Sequence, residues 1–168
     1  MSKNSTITAK RLVVNASPLI CLFGAELEGV LRGTSTEVVV PEAVWTEVME
    51  SSQKDRASAM VPRLSWINQI EVPDLDRRVA NWDLGAGETE VLTETLHSEG
   101  SLAVIDDADA RRCAKSLGIG FMGTGGLLLV GKKVGLVQSV TDCLDALSAA
   151  GLWISDEVMS LLQKKAGE

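Results

Sequence analysis

Short apolar runs that stop abruptly at Asn15, Pro41, Asp106 and Gly123, each followed by a stretch of helical character, constrain this chain more than any other feature. The runs with strand character lie at 11–15, 37–40, 66–72, 102–105 and 119–122. Helical patterns follow at 18–25, 41–50, 51–60, 88–97, 107–117, 123–133, 141–150 and 155–165, with Ser17 expected to cap the first. The run at 66–72 alternates apolar and polar residues and reads as an edge strand. The charged stretch 74–83 reads as a flexible connector. Strands separated by helices imply βαβ units and a mainly parallel sheet covered on both faces, an α/β fold. At 168 residues the chain suits one domain, 1–168, able to bury about 70% of its extended surface.

In such sheets ligands bind at the carboxyl ends of the strands, so the informative positions are strand ends and helix starts that carry acids or amides. Asn15 ends the first strand, and Asp106 and Asp107 end the fourth. Glu88 opens a helix directly after Gly85-Ala86-Gly87, and Glu47 lies in the helix that follows Pro41. An acid in the first turn of a helix also stabilises the helix dipole by about 0.3–1 kcal/mol, so Glu88, Asp107 and Asp109 each have a structural explanation when taken singly. Taken together, carboxylates gathered without an intervening arginine repel one another. An all-oxygen set of this kind suits Mg²⁺ or Mn²⁺ rather than zinc.

Composition removes several alternatives. The only histidine is His97, which leaves no His-rich zinc site. Cys21, Cys113 and Cys143 are odd in number and far apart, without a Cys-x-x-Cys pair, as expected of thiols in a reducing cytoplasm. The formal net charge of -7 argues against a broadly basic nucleic-acid or membrane binder. One local excess of base occurs at 107–135, where Arg111, Arg112, Lys115, Lys132 and Lys133 face only Asp107 and Asp109. Aromatics are scarce and tyrosine is absent, so phosphate contacts are expected to dominate over base stacking. Trp45, Trp66, Trp82 and Trp153 read as core or partner-contact residues, and the stripe of Val158, Leu161 and Leu162 as completing the core. The apolar run at 12–25 has the look of a leader, but Asn15, Ser17 and Pro18 interrupt it, and a strand followed by a helix accounts for it better. No apolar stretch approaches the roughly 18–20 residues that span a bilayer. Gly126-x-x-x-x-Gly131-Lys132-Lys133 lacks the final Ser or Thr of a phosphate-binding loop, and its interior is apolar helix. Asp107-x-Asp109 lies too far along the chain for a haloacid-dehalogenase phosphatase, and Arg111 stands where that motif has Thr or Val.

Five segments together resemble the PIN-domain family. Val13-Val14-Asn15-Ala16-Ser17-Pro18-Leu19-Ile20 is similar to its first motif, and Gly85-Ala86-Gly87-Glu88-Thr89-Glu90-Val91 to the Gly-x-Gly-Glu helix start of one branch. Ala103-Val104-Ile105-Asp106-Asp107 with Arg111 resembles that branch's acidic pair and following arginine. Gly123-Thr124-Gly125-Gly126-Leu127-Leu128 is similar to its Gly-Thr-x-Gly turn, and Pro41 followed by Glu47 fits its Pro-to-Glu helix. The ordered set covers residues 13–161.

The resemblance implies a three-layer α/β/α sandwich and Mg²⁺- or Mn²⁺-dependent hydrolysis of RNA, as in the toxins of toxin–antitoxin pairs. It implies metal-site positions at Asn15, Glu47, Glu88 and Asp106, with Asp107 as alternate to Asp106 in catalysis, and Arg111 and Thr124 positioning the phosphate. A small antitoxin is a candidate partner by the same resemblance, and a homodimer and a cytoplasmic location are expected beside it. One residue departs from the pattern: active PIN nucleases usually carry Asp where this chain has Asn15. That departure sets a second expectation beside the first, a catalytically silent PIN fold acting as a binding or regulatory module.

Overall fold

The computed structural model describes residues 9–51 and 55–168. The elements run β1 (Ala9–Val14), α1 (Ala16–Gly24), α2 (Gly29–Thr34), β2 (Ser35–Pro41), α3 (Glu42–Glu50) and α4 (Arg56–Met60). After a 3-10 turn (Val61–Arg63) come β3 (Ile67–Ile70), α5 (Arg77–Ala80), α6 (Ala86–His97), β4 (Ser101–Val104), α7 (Ala108–Leu117) and β5 (Phe121–Met122). Helices α8 (Thr124–Lys133), α9 (Val140–Ala149) and α10 (Asp156–Ala166) follow.

The strands form one parallel sheet in the order β3-β2-β1-β4-β5. Leu12, Val13 and Val14 of β1 and Val38, Val39 and Val40 of β2 are all buried, because helices cover both faces of these carboxyl halves. The right-handed crossover rule puts α1, α2 and α4 on a first face and α5, α6 and α7 on the second, while α3 bridges the two, packing on α6 as well as on α1. Helices α8 and α9 pack on α2 and α1, joining the first face. The result is the expected α/β/α sandwich. Strand order reverses between β1 and β4, where Val14 pairs with Val104 and the Asn15 N–H donates to the Val104 carbonyl at 3.1 Å. The carboxyl ends of these two strands therefore lie side by side at the switch point of the sheet.

Several local expectations change. Asn15, not Ser17, is the residue before α1, and its side chain makes no capping bond. Helix α2 has no counterpart in the sequence pattern, since six residues starting at glycine carry too little periodicity. The helix expected over 51–60 is α4, capped by Asp55, whose carboxylate accepts from the Ser58 N–H at 2.8 Å. Residues 52–54 of that expectation lie outside the described residues. The connector at 74–83 contains α5, which Asp76 caps and Val79 anchors in the core. Helix α10 does not complete the core: none of its residues is buried, and Val158 and Leu161 are 46% and 49% exposed. It docks at the edge of the core through the partly buried Met159, Leu162 and Ala166, with the Leu162 methyls lying where a Cβ on Gly125 would sit.

Asp76 also gives the fold an acid-sensitive joint. Arg78, and after it His97, hold its carboxyl well below the usual carboxylate range. A depressed folded pKa means the stabilisation is in place above the unfolded value near 3.8 and is lost as pH falls below it. Asp76→Asn is expected to melt a few degrees below the wild type at neutral pH. That difference should shrink as melting is repeated toward pH ~3. A gap that stays constant with pH would rule the pairing out as its cause.

Candidate active site at the carboxyl edge of the sheet

Two groups of polar side chains meet at the switch point. The first surrounds the start of α6. Asn15 is 3% exposed, and its Nδ2 donates to Glu88 Oε1 at 3.3 Å. Its Oδ1 is buried with no donor among the described residues. A Cβ added to Gly87 would stand 3.2 Å from that Oδ1, 3.2 Å from Glu47 Oε2 and 3.2 Å from the Val44 side chain. A Cβ on Gly85 would stand 2.5 Å from Glu88 Oε2. The Gly-x-Gly-Glu motif thus has a local reason. Gly85 leaves room for the Glu88 carboxylate to fold over the helix start, and Gly87 leaves room for Asn15 and Glu47 to approach α6. Burial first, and then the neighbouring charge of Glu88, push the Glu47 carboxyl above its ordinary value.

The second group lies beyond β4. Asp106 is half-buried and accepts twice from Thr124, from the N–H at 2.8 Å and from the hydroxyl at 2.6 Å. Thr124 therefore does not use its hydroxyl to cap α8. The cap position belongs to Gly123, which a Cβ would bring to 3.1 Å from Asp106 Oδ1. Burial, followed by the Asp106 charge, raises the Cys21 thiol of α1 above its ordinary value, against a hydrogen bond from Ser17. Asp107 turns the other way. It is exposed and caps α7, accepting from the Ala110 N–H at 2.8 Å, so of the two neighbouring acids only Asp106 points at Thr124. The Arg111 guanidinium sits 5.5 Å from the centroid of Phe121, a cation–π arrangement that holds it near Gly123.

The structure brings Asn15, Glu47 and Glu88 together and sets Asp106 with Thr124 and Arg111 beside them, one strand across. Among the described residues, no three His, Cys, Asp or Glu side chains close on a single point. The donor set at Asn15 is completed by an amide oxygen, and all its atoms are oxygen, the chemistry that hard divalent cations select. A buried acceptor without a donor, next to two acids that repel, is an arrangement such a cation fits.

The expected basic rim is smaller than the residue count suggests. Arg112 pairs with Asp109 on its own helix, and Lys132 binds Glu168 at 2.5 Å. Two contributors were not legible in the sequence. Phe121, which steadies Arg111, lies on a different element from it. Glu90 of α6 accepts from the Ala43 N–H at 2.8 Å and so caps α3, the helix that carries Glu47. Its only sequence signal is its place two residues after Glu88, which does not reveal its target.

No helix among the described residues is long and apolar enough to cross a membrane. No curated protein and no solved structure matches the chain. A family model, DUF3368, described as a PIN domain, matches residues 11–168. PIN domains have a nuclease-type fold and are generally hydrolases of this kind, typically using a divalent metal. With that match over nearly its whole length, and with the five-stranded parallel sheet of the fold, the chain belongs to the PIN-domain family.

Proposed function

We propose that this chain is a Mg²⁺- or Mn²⁺-dependent endoribonuclease whose site is the edge formed by Asn15, Glu47, Glu88 and Asp106. The observation that carries the reading is the buried, donorless Asn15 Oδ1 beside the mutually repelling Glu47 and Glu88. Asn15 Oδ1 and the carboxylates of Glu47, Glu88 and Asp106 would hold the cation. When bound, the ion supplies Lewis-acid polarisation of a phosphate oxygen and of a water. The rest is done by the chain itself. Thr124 fixes the Asp106 carboxylate through both of its oxygens, so the acid presents one orientation. Helices α6 and α8 begin at this edge, and the positive ends of their dipoles there would stabilise the charge of a phosphodiester. Arg111, braced on Phe121, is placed to pair with a phosphate oxygen as hydrolysis develops charge there.

The reading extends to the toxin of a toxin–antitoxin pair, with a small antitoxin as partner, a homodimer as assembly and the cytoplasm as its place. Support for this extension comes from the family alone. Incubation of the purified chain with single-stranded RNA and millimolar Mn²⁺ is expected to give internal cleavage. Chelation by EDTA should stop it, and Glu88→Gln should lower the rate by roughly a hundredfold or more. Equal cleavage by the wild type and Glu88→Gln would displace the site. The amide at Asn15, which brings one less charge than Asp, favours a second reading, the silent binding module. No uptake of Mg²⁺ or Mn²⁺ by calorimetry, with the fold intact, would select that reading instead.

A further inference from the structure

A groove of about 470 Å³ opens beside Asp106. Its lining joins Asp106 and Arg111 to Trp153, Val158, Leu161 and Lys165 from the loop after α9 and from α10. Trp153 is 85% exposed, the most exposed large apolar side chain among the described residues. Val158 and Leu161 are about half exposed, so a continuous apolar wall ends on an indole with one whole side in solvent. The groove falls within the roughly 300–1,000 Å³ typical of sites that take small organic groups. Its charge is two cations to one carboxylate, on a protein that is acidic as a whole.

We infer that this groove is a nucleobase subsite: the base adjoining the scissile phosphate stacks on Trp153 against the Val158 and Leu161 wall, and its flanking phosphate pairs with Arg111 and Lys165. The inference rests on the ribonuclease reading and adds the substrate's mode of binding. A nucleotide joins a flat apolar face to an anion, and the groove joins a flat indole to two cations. The groove is also continuous with the proposed site, since Asp106 and Arg111 belong to both. A base can use this wall only when unstacked from its neighbours, which selects single-stranded RNA over duplex. Scarcity of aromatics across the chain does not weigh against this, because a single exposed ring at the site suffices for one base.

The test measures binding of two labelled oligoribonucleotides of equal length, one unmodified and one abasic, to Glu88→Gln protein, which slows cleavage. Adding Trp153→Ala should weaken the unmodified strand by roughly ten- to a hundredfold and the abasic strand by less than about twofold, and Trp153→Phe should recover most of the loss. Trp153 is exposed, so these changes leave the core untouched. Equal affinity with and without Trp153→Ala, or equal weakening of both strands, overturns the subsite. So does conversion of a dimer to a monomer by Trp153→Ala in sedimentation, which would make the wall a contact between copies. If the wild type cleaves RNA and Trp153→Ala cleaves it equally well, only the subsite falls. If the wild type neither cleaves nor binds RNA, the ribonuclease reading falls with it.

Discussion

Asp106→Asn is expected to reduce Mn²⁺-dependent RNA cleavage by roughly 10²–10³-fold or more while leaving the protein folded. The fold survives because the amide can reproduce both contacts with Thr124. Its oxygen accepts from the Thr124 N–H, and its Nδ2 donates to the Thr124 hydroxyl, whose proton then turns away. What disappears is one negative charge at the edge where the cation and the phosphate meet. A melting temperature within about 3 °C of the wild type, read by circular dichroism, separates this from unfolding. A variant that keeps more than about a tenth of the wild-type rate would remove Asp106 from the chemistry, since loss of a transition-state charge contact costs more than that.

Asn15→Asp is expected to change stability in opposite senses with and without metal. Asn15 is buried, and its Nδ2 is the donor to Glu88 Oε1. An aspartate replaces that donor with an acceptor and adds a third charge to Glu47 and Glu88, neither of which forms an ion pair among the described residues. Burial of an uncompensated carboxylate costs about 2–4 kcal/mol, or a melting temperature lower by roughly 5–15 °C in EDTA. Millimolar Mn²⁺ should reverse the loss and raise the melting temperature by more than it does for the wild type, because the added charge draws the ion more tightly. Identical melting of the two proteins in EDTA, together with equal gains from Mn²⁺, would show that residue 15 does not face a cation site.

The layered α/β architecture was legible because the carboxyl halves of β1 and β2, residues 12–14 and 38–40, are unbroken apolar runs, as strand segments covered on both faces must be. The pairing of Asn15 with the Asp106 edge followed from the same topology, since two parallel neighbours end on one side of the sheet. Other features depended on contacts that no local pattern encodes. Helix α5 is four residues long, too short for a period to emerge. The stripe of Val158, Leu161 and Leu162 has the same spacing whether it faces a core or a groove, and only the docking of Leu162 against Gly125 shows that it faces a groove. Thr124 opens α8 just after the cap position, and nothing in the chain before it indicates that an acid 18 positions earlier accepts from its hydroxyl. The division between Asp106 and Asp107 was likewise open, because both follow the strand and only the turn geometry sends one inward and the other to the helix start.

Glu90 carries a consequence for how the metal edge is assembled. Two residues apart on α6, Glu88 faces Asn15 while Glu90 grips the first turn of α3 at Ala43, four residues before Glu47. The spacing between the two repelling carboxylates is therefore set by a strut between helices rather than by whatever later occupies the gap. An arriving ion would find its ligands held apart at a preset distance, the electrostatic work of gathering them having been done when the chain folded.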